Sequence, residues 1–331
     1  MRCLILSQWR VNPYQQLLVG ALRRLGAEVV ERPLLPFSLG ATVRECKPDV
    51  LHLQNVHPFL TGRGWVRSLM NVLAFVAALI MVRLRGVRIV WTVHDLGHHD
   101  RRHPLLDRIV TALTARLAHA RIVHCEAARR ELGREVTAIP HGHYIGHYEN
   151  RVDRAAARQS LGIGNGEFVF LFLGWLRPYK GIPELLDAVE GLPARLLIAG
   201  EARDPAFVES LRVPANVEIH SGAVQDDRLQ LYLNACDVVV LPYRRILTSG
   251  AVILAMSFAR PCIAPRLGCM PETLDDRGAF LYDPGALREA LTHAIDGRDE
   301  LPRMGAHNRE KVSAWTWQRA AEATLAIYQR R

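Results

Sequence analysis

The feature that most constrains this chain is a repeated alternation. Short apolar runs rich in β-branched residues are each followed by a stretch with one apolar stripe at helical spacing. In the first half the runs fall at 3–6, 28–31, 49–53, 88–93, 122–125 and 136–139, with amphipathic segments such as 14–25 and 105–119 between them. Continuous apolar strands need cover on both faces, and strands that alternate with helices run parallel, so this is a βαβ series building a doubly wound sheet. Glycines, histidines and a short charged helix at 153–161 interrupt it between 141 and 166. The alternation then restarts, with strands expected at 168–173, 195–199, 217–220, 237–241 and 262–264. A length of 331 residues with 49% hydrophobic content also exceeds what one core usually serves. The expected architecture is α/β: two Rossmann-like domains, 1–150 and 151–312, facing a central cleft. A terminal helix at 313–331, with Trp315, Trp317, Ala321, Leu325 and Tyr328 in register, packs back on the first domain.

Composition narrows the partners. Forty-two Lys and Arg against 33 Asp and Glu give +9, which favours a polyanionic ligand or an anionic membrane surface. No basic run interleaves with aromatics, so nucleic acid is not expected. The six cysteines (Cys3, Cys46, Cys125, Cys236, Cys262, Cys269) have no zinc-ligand spacing and read as small core residues in a reducing compartment. The opening Arg2-Cys3-Leu4-Ile5-Leu6 is too short for a signal peptide and reads as a first strand of a cytoplasmic protein. The apolar stretch 69–82, about 14 residues against the ~20 that span a bilayer, is expected first as a helix covering the first sheet. Its arginines at both ends (Arg63, Arg67, Arg83, Arg85) leave a second reading, in which one face dips into the membrane interface.

Two strand ends in the second half favour anions. Gly174-Trp175-Leu176-Arg177-Pro178-Tyr179-Lys180-Gly181 follows the strand at 168–173 and precedes a helix opened by Pro183 and Glu184. Backbone N–H groups, Arg177 and Lys180 thus converge where an open α/β sheet binds its ligand, an arrangement that suits a diphosphate. Farther on, Thr248, Ser249 and Gly250 sit at the amino end of a small-residue helix over 252–259, a second anion contact, though Thr and Ser are also ordinary caps. The first strand is followed by no glycine, which disfavours a dinucleotide site and hydride transfer.

Eleven of the fourteen histidines lie in the first 150 residues. They gather after two strand ends: His94, His98, His99 and His103 in one loop, His141, His143 and His147 in the other. In Thr92-Val93-His94-Asp95-Leu96-Gly97-His98-His99-Asp100, imidazoles and carboxylates stand together and could deprotonate a hydroxyl. Asp100 is the first candidate base, with His99 and Asp95 behind it. Gly97 argues against a shared helical face for His94 and His98, so no metal is expected there.

The order of Asp49-Val50-Leu51-His52-Leu53, Thr92-Val93-His94-Asp95, His141-Gly142-His143-Tyr144, Arg177-Pro178-Tyr179-Lys180-Gly181, Leu241-Pro242-Tyr243 and Ala255-Met256-Ser257-Phe258-Ala259-Arg260-Pro261 resembles GT-B glycosyltransferases of the large family-4 group. The nearer likeness, through Asn12-Pro13-Tyr14 and the His-Gly-His-Tyr run, is to β-mannosyltransferases of xanthan assembly. The resemblance implies a GDP-mannose donor and a lipid-linked glycan acceptor. It assigns Arg177 and Lys180 to the diphosphate and His94 to sugar hydroxyls. It adds donor contacts from Gly174, Tyr243 and His143 and acceptor contacts from Asn12, Tyr14 and His57. Retaining members carry Glu-x7-Glu where this chain has Ile246 and Leu254. The departure leans toward inversion, and no Asp-x-Asp motif for a divalent ion is present, so a nucleotide-sugar is the only co-substrate expected. A retaining transferase using a UDP-sugar and a catalytically silent nucleotide-sugar-binding subunit are the alternatives.

Overall fold

A computed structural model describes residues 1–6, 13–54, 56, 60, 64–95, 103–133 and 136–330. The chain forms two compact units: residues 1–142 with 316–331, and residues 143–315. The divisions fall before the expected 150 and after the expected 312. Backbone bonding explains both: His143 N–H donates to the Trp315 carbonyl (2.8 Å), and Tyr144 N–H donates to Ser257 Oγ (3.0 Å), all within the second unit.

In the first unit β1 (Arg2–Leu6), β2 (Glu28–Arg32), β3 (Val50–Leu53), β4 (Arg88–Thr92), β5 (Ala120–Val123) and β6 (Val136–Ala138) lie in the order β2-β1-β3-β4-β5-β6, every pair parallel. The order reverses between β1 and β3. Connections leaving those two strands diverge to opposite faces, and a crevice opens at their carboxyl ends. The terminal helix Trp317–Gln329 packs on helix Tyr14–Arg24 and buries Trp317, Ala320, Ala321, Thr324, Ile327 and Tyr328. Thr316 starts it by accepting from Arg319 N–H (3.2 Å).

The apolar stretch is longer than expected. Helix Trp65–Leu84 runs 20 residues, enough by length and composition to cross a membrane. Only one side of it is core: Ser68, Val72, Phe75, Ala78, Leu79 and Val82 are buried, while much of the other side is exposed. The expectation of a 14-residue core helix therefore fails for half its surface.

In the second unit β7 (Val169–Leu173), β8 (Arg195–Gly200), β9 (Val217–Ser221), β10 (Val238–Val240), β11 (Cys262–Pro265) and β12 (Ala279–Tyr282) form a parallel sheet in the order β12-β11-β10-β7-β8-β9. Here the reversal lies between β7 and β10. Strand β12 was not expected, because four residues at a sheet edge make too short a run to stand out. Phe170, Phe172, Leu196, Ile198, Val238, Val240 and Ile263 centre the core. The reading of cysteines as buried thiols holds for Cys3, Cys46, Cys236 and Cys262, which are free, and burial pushes Cys3 and Cys236 up to about 12.

Candidate active site

The reversal in the second sheet places the loops after β7 and β10 side by side, and glycines let them touch. Gly181 sits at φ +74°, and a Cβ there would lie 1.8 Å from the Pro242 carbonyl oxygen. Gly174 is at φ +136°, and a Cβ on Gly200 would lie 1.9 Å from the Gly174 oxygen. Arg244 N–H donates to the Tyr179 carbonyl (3.1 Å), joining the loops a second time.

This contact orders a row of functional groups. Lys180 Nζ stands 4.3 Å from the centre of the Tyr243 ring, a cation held over an aromatic face. The Tyr243 hydroxyl pairs with Ser249 Oγ (2.9 Å). Ser249 is the N-cap of helix Gly250–Ser257, yet its side chain makes no capping bond. That helix therefore begins with amides that its cap does not satisfy, at the positive end of its dipole. Arg177, half-buried, lies with its guanidinium carbon 5.8 Å from the Trp175 ring centre. Six residues, Gly174, Lys180, Tyr243, Thr248, Ser249 and Gly250, thus share one end of the sheet with Arg177.

The sequence reading missed Arg203. Leu176 N–H donates to the Glu201 carbonyl (2.9 Å), tying the loop after β8 to the one after β7, and Arg203 lies 4.8 Å from the Trp175 ring centre. His143 is placed elsewhere. Its neighbour Tyr144 bonds Ser257, at the opposite end of helix Gly250–Ser257 from Ser249, and its own Nδ1 accepts from Ile145 N–H (3.2 Å). Ile246 and Leu254 are half-buried and supply no carboxylate.

In the first unit the carboxyl ends of β3 to β6 hold a chain of imidazoles. His52 Nδ1 meets the Tyr328 hydroxyl (2.6 Å) and its Nε2 meets Thr92 Oγ1 (2.7 Å) and the Gln54 amide (3.3 Å). The other end of Gln54 meets His94 Nε2 (2.8 Å), His94 Nδ1 meets His124 Nε2 (3.3 Å), and His124 Nδ1 donates to the Ile139 carbonyl (2.9 Å). Tyr14 is wedged among them, with ring centres 4.8 Å from His94, 5.4 Å from His124, 4.9 Å from His141 and 5.2 Å from Trp317. Gly142 permits the last contact, since a Cβ there would lie 2.3 Å from the indole.

Burial forces these rings to be neutral. It lowers His52 and His141 to about 3 and His124 to about 4, and it lowers His94 as well, helped by His124 and His141. Neutrality constrains the protons. If Gln54 Oε1 faces His94, then three contacts, to Gln54, between the rings and to Ile139, need three protons, and two neutral imidazoles bring two. A half-turn of the Gln54 carboxamide, an orientation set by the bonding network, supplies the third donor. The chain then runs one way, from the Tyr328 hydroxyl through His52, Gln54, His94 and His124 to Ile139.

Of the residues assigned to the first domain, His94 therefore has both ring nitrogens engaged within the protein, and Tyr14 is buried. Asp95 follows His94 at the edge of this cluster, half-buried. His99, Asp100, Asn12 and His57 lie outside the described residues.

Residues 167–297 match the model of Glycosyl transferases group 1. The chain is 28% identical over 293 residues, 85% of its length and 79% of the other's, to the GDP-mannose:glycolipid 4-beta-D-mannosyltransferase of Xanthomonas campestris pv. campestris. It is 26% identical over 59% of its length to the D-inositol 3-phosphate glycosyltransferase of Segniliparus rotundus, covering 46% of that protein. Among solved structures, sucrose-phosphate synthase from Thermosynechococcus elongatus aligns over 99% of this chain and 98% of its own (TM-score 0.80, 18% identity). Anabaena HepE in complex with UDP and glucose aligns over 99% of each chain (TM-score 0.78, 17% identity). The two parallel six-stranded sheets have the GT-B fold, and residues 167–297, which span the loops after β7 and β10, form a glycosyl transferase group 1 domain, so the chain is a glycosyltransferase.

Proposed function

We propose that the enzyme transfers mannose from GDP-mannose to a lipid-linked or polysaccharide-precursor glycan, with inversion and without a metal, at the inner face of the cell membrane. The observation that carries this reading is the row Lys180, Tyr243, Ser249 and the open amides of helix Gly250–Ser257, beside Arg177, at the reversal of the second sheet. An acceptor hydroxyl attacks the anomeric carbon as the nucleoside diphosphate departs. The negative charge that develops on the departing oxygen is met by Arg177, Lys180 and the helix amides, all fixed before the reaction begins. In this reading those cations take the place of a divalent ion.

The proton leaves the attacking hydroxyl to a base on the loop following β4. Asp100 is assigned that part, with His99 and Asp95 behind it. His94 keeps the start of that loop in place through its two ring bonds. The missing carboxylates at Ile246 and Leu254 support inversion, and the mannosyltransferase relative supports the donor.

Two measurements test the reading. A thermal-shift screen across GDP-, UDP- and ADP-sugars is expected to raise Tm with GDP-mannose, since a ligand selective for the folded state stabilises it. Arg177→Ala is expected to lower turnover by about 10²-fold, with a Tm near that of the parent. Activity unchanged in Arg177→Ala, or a product retaining the donor's anomeric configuration, defeats the corresponding part.

A further inference from the structure

Among the described residues, the exposed apolar side chains are concentrated in one place. Of the large hydrophobic side chains exposed among the described residues, all but Met1 and Val213 lie on three neighbouring segments of the first unit. Helix Trp65–Leu84 contributes a straight stripe, Val66, Met70, Leu73, Ile80 and Leu84, from 44% to 82% exposed, flanked by Trp65 and Met81. These positions recur at three, four and seven, so they share one face, opposite Val72, Phe75, Leu79 and Val82 in the core. The parallel helix Pro104–Leu117 adds Leu105 and Ile109, and the segment before helix Leu39–Cys46 adds Leu35 and Phe37. Adjacency is direct. Arg83 donates to the Leu117 carbonyl (2.8 Å), and a Cβ on Gly40 would lie 3.1 Å from Met81 Cε.

A face of this size on a soluble helix would ordinarily be polar, and contiguous exposed patches mark contact surfaces. Charge identifies the occupant. Helix Trp65–Leu84 carries no carboxylate, and Arg67, Arg83 and Arg85 stand exposed at its two ends, with Arg108 exposed on the neighbouring helix. Across the three segments the carboxylates are the buried Asp107 and a single exposed one, Glu45. An apolar stripe about 30 Å long, rimmed by guanidinium groups, complements a sheet of acyl chains beneath anionic headgroups. The core face excludes spanning. Phe75, Leu79 and Val82 are 0% exposed, and crossing the bilayer would tear them from the β-sheet they cover.

We propose that the outer face of helix Trp65–Leu84, with Leu35, Phe37, Leu105 and Ile109, is a docking surface for an anionic phospholipid bilayer, in which the helix lies in the plane of the headgroup boundary. This deepens the reading of a lipid-linked acceptor and rests on it for its purpose, but it rests on geometry alone for its existence. Docking requires no sugar donor, so the two readings fail separately.

The test is co-sedimentation of the full chain with vesicles of phosphatidylcholine containing about 30% phosphatidylglycerol, because anionic lipid creates the negative surface potential that attracts arginine. Pure phosphatidylcholine vesicles and high salt are the comparisons. The parent is expected to bind the anionic vesicles, and to bind less in either comparison. Leu73→Glu with Ile80→Glu, both exposed and so compatible with folding, is expected to weaken binding at least ~10-fold. Arg83→Gln with Arg85→Gln is expected to weaken it several-fold and flatten the salt dependence. Val213→Glu, an exposed apolar residue of the second unit, is expected to change nothing. A parent that ignores anionic vesicles overturns the proposal. So does a Leu73→Glu, Ile80→Glu chain that still binds them, or one that merely converts a dimer into a monomer while vesicle binding persists.

Discussion

A histidine held neutral inside a protein stores acid sensitivity. His52, His124 and His141 have folded-state values of about 3, 4 and 3, lowered by burial, against about 6.5 in an unfolded chain. Between those limits the unfolded chain binds protons that the folded one refuses, so stability falls as pH drops below 6.5 and is regained as it rises. Each such ring contributes a slope of up to about 1.4 kcal/mol per pH unit. The first unit is therefore expected to unfold on acidification between pH 6 and 4, and His124→Asn to flatten that dependence. A ¹⁵N-histidine titration checks both points, because at neutral pH His94 should carry its proton on Nδ1, the tautomer the one-way chain requires. Rings that titrate near 6.5, or a His94 protonated on Nε2, would count against this network. Of this hydrogen-bonded chain only His94 was legible beforehand, together with His141 beside it. His94 and His141 drew attention because they follow apolar runs, whereas His52 lies inside β3 and His124 just past β5, where one polar residue in a hydrophobic strand looks like an ordinary satisfied core group. What joins them is spatial: parallel neighbours bring residues 40 and 30 positions apart to hydrogen-bonding distance. Gln54 carried no local signal, and Tyr328 stood out only as one residue of the terminal helix's apolar stripe.

At the scale of elements, the donor end of the second unit depends on a connection that tolerates no side chain. Gly181 closes the short 3₁₀ turn Pro178–Lys180 in the left-handed region and starts helix Ile182–Val189, with its hydrogens facing the Pro242 carbonyl. Gly181→Ala meets two penalties, the left-handed backbone and a contact at 1.8 Å with a backbone atom that cannot move aside. A loss of about 2–3 kcal/mol in the second unit is expected from denaturant unfolding. The same change should separate Lys180 from Tyr243 and weaken nucleotide-sugar binding beyond what the stability loss explains. Full affinity in a destabilised variant would show that the row of groups does not need this contact. The loop itself was legible, because a cationic, glycine-bounded segment between an apolar strand and a helix is a local pattern. Its pairing with the loop after β10 was not, since strand order is set by which faces the helices cover, and neither loop records its neighbour. Arg203 was lost for the same reason, arriving from the end of β8 through backbone bonds that no spacing announces.

At the scale of the molecule, the chain leaves its first unit at Gly142 and returns to it at Thr316, so that unit is built from two separate stretches of the sequence. The returning helix is structural cement. Trp317 packs against Gly142 and the Tyr14 and His141 rings, the Ile327 carbonyl accepts from Arg88 Nε (3.1 Å), and the Tyr328 hydroxyl ends the imidazole chain at His52. Burying side chains such as Trp317, Ile327 and Tyr328 contributes roughly 1.5–3 kcal/mol each, so together they rival the ~5–15 kcal/mol that holds an ordinary domain folded. A chain ending at Trp315 would also leave His52 buried with one ring nitrogen unpartnered and expose the apolar face of helix Tyr14–Arg24. The expected outcome is selective: amides of β1, β3 and β4 lose hydrogen-exchange protection, while those of β7, β8 and β10 keep it, because every residue pairing in the second sheet lies within 143–315. Protection retained in β1, β3 and β4 would mean that the first sheet closes its core without the returning helix. Loss of protection in both sheets would mean that the second unit does not fold by itself. The terminal helix was foreseen from its aromatic spacing, yet its partner surface was foreseen only as a direction, because an apolar stripe states that a helix must be covered and leaves open which residues will cover it.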